Sequence, residues 1–130
     1  MVPDHSLEDI KRLVFDAVDD ASVDRESVVF VYVFGSFVEE KGSAHDIDVC
    51  ISLDEEMVAD DLEKVGQKIS GRLPGEIHLS VFEQLPLQVK NQVFKGELIY
   101  KKDKQVYDKA LETFRRYDFY EPLYKEIIGA

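Results

Sequence analysis

The chain has 130 residues, 45% of them apolar, with seven Gly, four Pro and one Cys, which is the size and mix of one domain, residues 1–130, that buries a core without disulfide or structural metal. Its longest purely apolar run, Val28 to Phe34, falls far short of the ~18 residues that suggest a membrane span, and with no basic leader at Met1–His5 and only Cys50 to oxidise, a reducing cytoplasm is the expected setting. The net charge of −11 splits into −13 over residues 1–85 and +2 over residues 86–130, a field that repels nucleic acid and speaks against a polymerase or DNA reader, while most of the charge serves solubility.

Ser6 followed by Asp9 reads as a capped helix start, and Leu7, Ile10, Leu13, Val14 and Ala17 recur at helical spacing, so a first helix is expected from Leu7 to Asp19. Val28–Phe34 is β-branched and aromatic throughout and predicts a buried strand ended by Gly35-Ser36. From Asp46 to Leu53 the pattern alternates, with Ile47, Val49, Ile51 and Leu53 on one face and Asp46, Asp48, Cys50 and Ser52 on the other, a half-buried strand. Asp54 can cap a helix carrying Val58, Leu62, Val65, Ile69 and Leu73 inward, stopped by Pro74-Gly75. Glu76–Phe82 alternates again, placing Glu76, His78, Ser80 and Phe82 on one face. Pro86 suits the start of a short helix ending at Gly96, and Glu97–Tyr100 makes a fourth strand. Asp103 can cap a last helix with Tyr107, Ala110, Leu111 and Phe114 on its inner stripe, which Pro122 is expected to break or kink.

The chemistry concentrates between Phe34 and Val49. Gly35 lets backbone approach a phosphate, and the Ser36 hydroxyl and nearby N–H groups can bind phosphate oxygens. Asp46 and Asp48, two apart on a strand, project the same way, as a site for Mg²⁺ requires when one or two carboxylates and the substrate's phosphates complete its shell. Strand, Gly-Ser, loop and an Asp-x-Asp opening the next strand together resemble the signature of the polymerase β-like nucleotidyltransferase superfamily. The stretches Glu76–Pro86, Lys95–Tyr100 and Arg115–Phe119 with Pro122-Leu123 extend the likeness to the minimal nucleotidyltransferases, over nearly the whole chain. Those stand-alone proteins are similar to antitoxins paired with HEPN-type ribonuclease toxins, which they silence by moving AMP from ATP onto a toxin tyrosine.

The resemblance implies an α+β, two-layer fold with a mixed sheet of about four strands and helices on one face. It also implies that Gly35, Ser36 and Lys41 hold the triphosphate of ATP and that Asp46 and Asp48 hold Mg²⁺. Two departures stand out. Only nine residues separate Ser36 from Asp46, with Glu39-Glu40 before Lys41 where the family has an arginine. The family's third carboxylate falls at His78, leaving Glu76 as the alternative metal ligand on that strand face. The expected function is therefore Mg²⁺-dependent nucleotidyl transfer to a protein hydroxyl, with Asp46, Asp48 and His78 in the catalytic centre. Its rivals are an attenuated antitoxin that acts by binding alone and transfer to a small molecule, for which a homo-oligomer would have to supply the acceptor surface. His45 reads first as a surface hydrogen-bonding partner, Cys50 as a packing residue, and the acidic run Asp54–Glu63 as a solvated helix face. The aromatics from Tyr107 to Tyr124 exceed what one helix needs for a core, which leaves some of them for a partner.

Overall fold

The structure, a computed structural model, describes residues 6–39, 46–54 and 59–128. Helix α1 (Leu7–Asp20) starts in the expected capping box, the Asp9 N–H donating to Ser6 Oγ at 3.1 Å and the Ser6 N–H to Asp9 Oδ2 at 3.3 Å. After a 3₁₀ turn come β1 (Val28–Phe34), the short helix α2 (Ser36–Glu39) and β2 (Ile47–Leu53). Helix α3 (Ala59–Ser70) leads to β3 (Ile77–Val81), a second 3₁₀ turn at Phe82–Gln84 and α4 (Leu87–Val93). Strand β4 (Glu97–Lys101) and α5 (Gln105–Ile128) complete the order. The first turn expected after Asp54 lies outside the described residues.

The four strands form one mixed sheet, as expected, in the order β3-β2-β1-β4. β1 is antiparallel to both neighbours, with Phe34 opposite Asp48 and Val31 opposite Tyr100, whereas β2 and β3 are parallel with Asp48 opposite His78. Val31, Val33, Val49 and Ile51 face α1 and α3, whose Ile10, Val14, Leu62 and Ile69 are buried against them. These are the helices foreseen on the apolar face. Over part of the opposite face, α4 and the start of α5 bring Val93 and Val106 onto Val29, Phe30 and Cys50. There Phe30 meets Phe82 and Tyr32 edge-on, at centroid distances of 5.1 and 5.6 Å, an arrangement worth ~0.5–1.5 kcal/mol per pair beyond the area it buries.

That second layer corrects three expectations. Strand β2 is not half-buried: Cys50 and Ser52 are fully buried, and only Asp48, at the mouth, keeps some exposure. Ser52 tolerates burial because its hydroxyl donates to Glu83 Oε2 at 2.6 Å and accepts from Lys109 Nζ at 3.0 Å. Glu83 also accepts from Lys109 Nζ at 2.7 Å and from the Leu53 N–H at 2.9 Å. Because Lys109 is drawn inward, α5 buries Val106, Lys109 and Thr113, and the foreseen inner stripe points outward. Tyr107, Leu111 and Phe114 are 51%, 52% and 40% exposed. Thirdly, of the break or kink expected at Pro122 the break does not occur, since α5 runs on to Ile128; a proline removes one intrahelical bond, a local cost of ~3 kcal/mol. Among the described residues no helix is long and apolar enough to cross a membrane.

Two outcomes are expected. Lys109→Ala strands the Glu83 carboxylate in a nearly dry site and should lower stability by about 3–5 kcal/mol in urea unfolding, most of which Lys109→Met combined with Glu83→Leu should restore. Burial pushes the Cys50 thiol well above its ordinary pKa, so a thiol reagent should leave the native protein unmodified and label it stoichiometrically once urea unfolds it.

Candidate active site

Strand β1 ends at Gly35, whose backbone takes the left-handed conformation with φ 76°. A side chain there is excluded twice: by that conformation, and because a Cβ would lie 2.6 Å from Asp48 Oδ2. Immediately after, Phe37 is buried in the core, which fixes α2 and leaves Ser36 exposed. The Val38 N–H donates back to the Gly35 carbonyl at 3.2 Å. Gly35 and Ser36 thus form a tight corner directly against the carboxylate of the neighbouring strand.

On the other flank, the parallel register sets His78 of β3 beside Asp48. His78 Nε2 lies 3.7 Å from Asp46 Oδ1, with both side chains more than half exposed. Asp46, Asp48 and His78 therefore lie together at one end of the sheet. Burial raises the Asp48 pKa above its ordinary 3.8, the neighbouring His78 lowers it, and the nearby Asp46 charge raises it further. An ionised Asp48 is consequently held at some expense. Glu76 precedes β3 in a turn, where its carbonyl accepts from the Ile47 N–H at 2.8 Å. Lys41 and His45 lie outside the described residues.

Among the described residues, no three His, Cys, Asp or Glu side chains converge as a metal-binding group. The chemistry of the donor set suits Mg²⁺ all the same: two carboxylates, one of them penalised by burial, can hold a hard cation whose remaining ligands come from phosphates and water. An imidazole at His78 is a poor ligand for that ion.

Sequence reasoning missed what lies beyond Gly35. Between β1, α4 and the start of β4 opens a cavity of about 340 Å³ lined by Phe34, Gly35, Gln88, Gln92, Lys95 and Tyr117, among others. Its walls come from three segments distant in sequence, and the only early sign was the basic balance of the second part of the chain.

The geometry has relatives. Residues 18–105 match the family model described as polymerase beta, nucleotidyltransferase. A chain of a toxin-antitoxin structure with AMP-PNP superposes with a TM-score of 0.70 at 16% identity, over 92% of this chain and 95% of that one. One from the tri-AMPylated Shewanella oneidensis HEPN toxin in complex with MNT antitoxin gives 0.69, again at 16% identity, over 95% and 97%. A chain of the toxin-antitoxin MntA-HepT gives 0.65 at 16% identity, over 92% and 93%. Such identities establish likeness of fold. No curated protein matches the chain. The family model, however, spans more than half of it and takes in the Gly-Ser corner, the aspartate pair and the strand of His78, so the chain belongs to the polymerase beta nucleotidyltransferase family.

Proposed function

We propose that this nucleotidyltransferase moves AMP from ATP onto a hydroxyl, a tyrosine of a HEPN-type toxin, and so acts as the toxin's antitoxin in the cytoplasm. The observation that carries the reading is the Gly35 corner seated on Asp48 with Asp46 and His78 beside it. It is supported by the likeness of the fold to chains from complexes solved with AMP-PNP and with a tri-AMPylated HEPN toxin. The net charge of −11 favours a protein acceptor over nucleic acid.

In this reading the Gly35 backbone and the Ser36 hydroxyl hold triphosphate oxygens, with Lys41 adding a cation. Asp46 and Asp48 hold Mg²⁺, which when bound neutralises phosphate charge and polarises the α-phosphoryl group. A bond forms between the tyrosine oxygen and the α-phosphorus, the bond from that phosphorus to pyrophosphate breaks, and the tyrosine proton leaves to solvent. The chain's own contribution is alignment: a rigid corner on one side and an open strand mouth on the other.

One observation favours a second reading, in which the toxin is neutralised by binding with slow transfer or none. His78 stands beside Asp48 where the family resemblance leads to a third carboxylate. Glu76, the remaining candidate, is set back in the turn before β3.

Radiolabelled ATP and purified toxin test both readings. Label should pass to the toxin, and Asp46→Asn with Asp48→Asn should abolish transfer and Mg²⁺-dependent ATP binding. The sign of the Asp48 shift also predicts a stability change. A carboxyl whose folded pKa is raised binds its proton more tightly when folded, so ionisation lowers stability as pH climbs through the ordinary value of 3.8 and beyond. Asp48→Asn in EDTA should therefore raise Tm at pH 7 and give no gain below pH ~3. A loss of Tm would instead make Asp48 structural. For the second reading, His78→Asp should speed transfer, and Mn²⁺ should partly restore it in the unaltered chain. Full activity that vanishes in Glu76→Ala would assign the third ligand to Glu76.

A further inference from the structure

The cavity next to Gly35 shares a wall with the candidate site and differs in chemistry from the rest of this acidic chain. Among the described residues no carboxylate lines it, and Lys95 is the one charged group that does. Gln88 and Gln92, four apart on α4, lie on the same helix face and both line the space. Phe34 and Tyr117 line the same space. Gly96 closes the end of this space without filling it: a Cβ there would fall within contact of the Val33 carbonyl and 2.9 Å from Phe34 Cα. That close approach draws the start of β4 against β1 and sets α4 beside Gly35.

A flat ring with an uncharged hydrogen-bonding edge is what such a cavity accepts. Its volume of about 340 Å³ lies within the ~300–1,000 Å³ usual for small ligands. An amide offers one acceptor and a donor side by side, which matches the donor and acceptor adjacent on the edge of adenine. Guanine shows two adjacent acceptors on the corresponding edge and is better served by a cation. Two amides to one lysine therefore favour adenine. We infer that this cavity is the base pocket of the nucleotide site, with Gln88 and Gln92 reading the edge of adenine and Tyr117 supporting the ring. The inference rests on the nucleotidyl-transfer reading and adds the residues that set its base preference.

Calorimetric titration with Mg²⁺·ATP, Mg²⁺·GTP, AMP and GMP tests it without relying on turnover. The unaltered chain should favour each adenine nucleotide over its guanine counterpart by about tenfold, and Gln88→Leu with Gln92→Leu should erase that ratio by weakening only the adenine ligands. Both glutamines are exposed, so Tm should not change. Tyr117→Ala should weaken adenine and guanine ligands alike, because stacking is tolerant of base identity. Equal binding of ATP and GTP, a preference for GTP, or an unchanged ratio in the double variant would overturn the inference. If that happened while ATP binding still required Asp46 and Asp48, the transfer reading would stand alone. If no nucleotide bound, both would fall.

Discussion

At Gly35 the chain leaves β1 in a left-handed conformation with the Asp48 carboxylate lying where a side chain would be. Much else is set by that contact. It ends β1 opposite Asp48, starts α2 with Phe37 anchored inward, and leaves Ser36 exposed. It also shields one side of Asp48, which is why burial, rather than a neighbouring charge, is the leading influence on that carboxyl. The Gly35 backbone and the Asp48 carboxylate are thereby placed directly against each other. Any residue larger than glycine would have to separate them.

The electrostatics of the molecule are uneven in a way that fits such a site. The first 85 residues, the aspartate pair among them, carry −13, which opposes the approach of a polyanion. On one flank of the aspartates stands an imidazole, and on the other a cavity that no carboxylate lines among the described residues. The acidic surface repels nonspecific polyanions, while the local surroundings of the pair leave a neutral or cationic approach open. A nucleotide senses mainly the few residues near it, whereas a long polyanion also meets the charge of the whole face.

What could be read from the sequence was what short-range rules determine. The Ser6–Asp9 box, the apolar run of β1 and the alternation of Ile47, Val49, Ile51 and Leu53 all depend on neighbours a few residues away, and each appears where the pattern put it. The Gly35-Ser36 corner and the Asp46-x-Asp48 pair were legible for the same reason. His78 could be placed beside them because alternation fixed its face and the family likeness fixed its strand. The orientation of α5 was not legible. Lysine on a helix ordinarily reads as surface, and the burial of Lys109 depends on Glu83, 26 residues earlier, and on Ser52, 57 residues earlier. That one long-range tie turned the helix and exposed Tyr107, Leu111 and Phe114. The cavity was illegible on similar grounds, since Phe34, Gln88, Lys95 and Tyr117 become neighbours only once the sheet has formed.

The tie between α5 and the sheet has a consequence for dissecting the molecule. The family model stops at residue 105, where α5 begins, and a designer of a minimal catalytic fragment would be tempted to cut there. Such a cut would remove Val106 from the aromatic layer and the ammonium from beside Glu83, and would open the edge of Ser52 and Cys50 to water. The first turns of α5, up to the buried Thr113, belong to the folding unit although they lie beyond the matched sequence. Tags and fusion partners are better joined at the end of the helix than at the boundary of the family match.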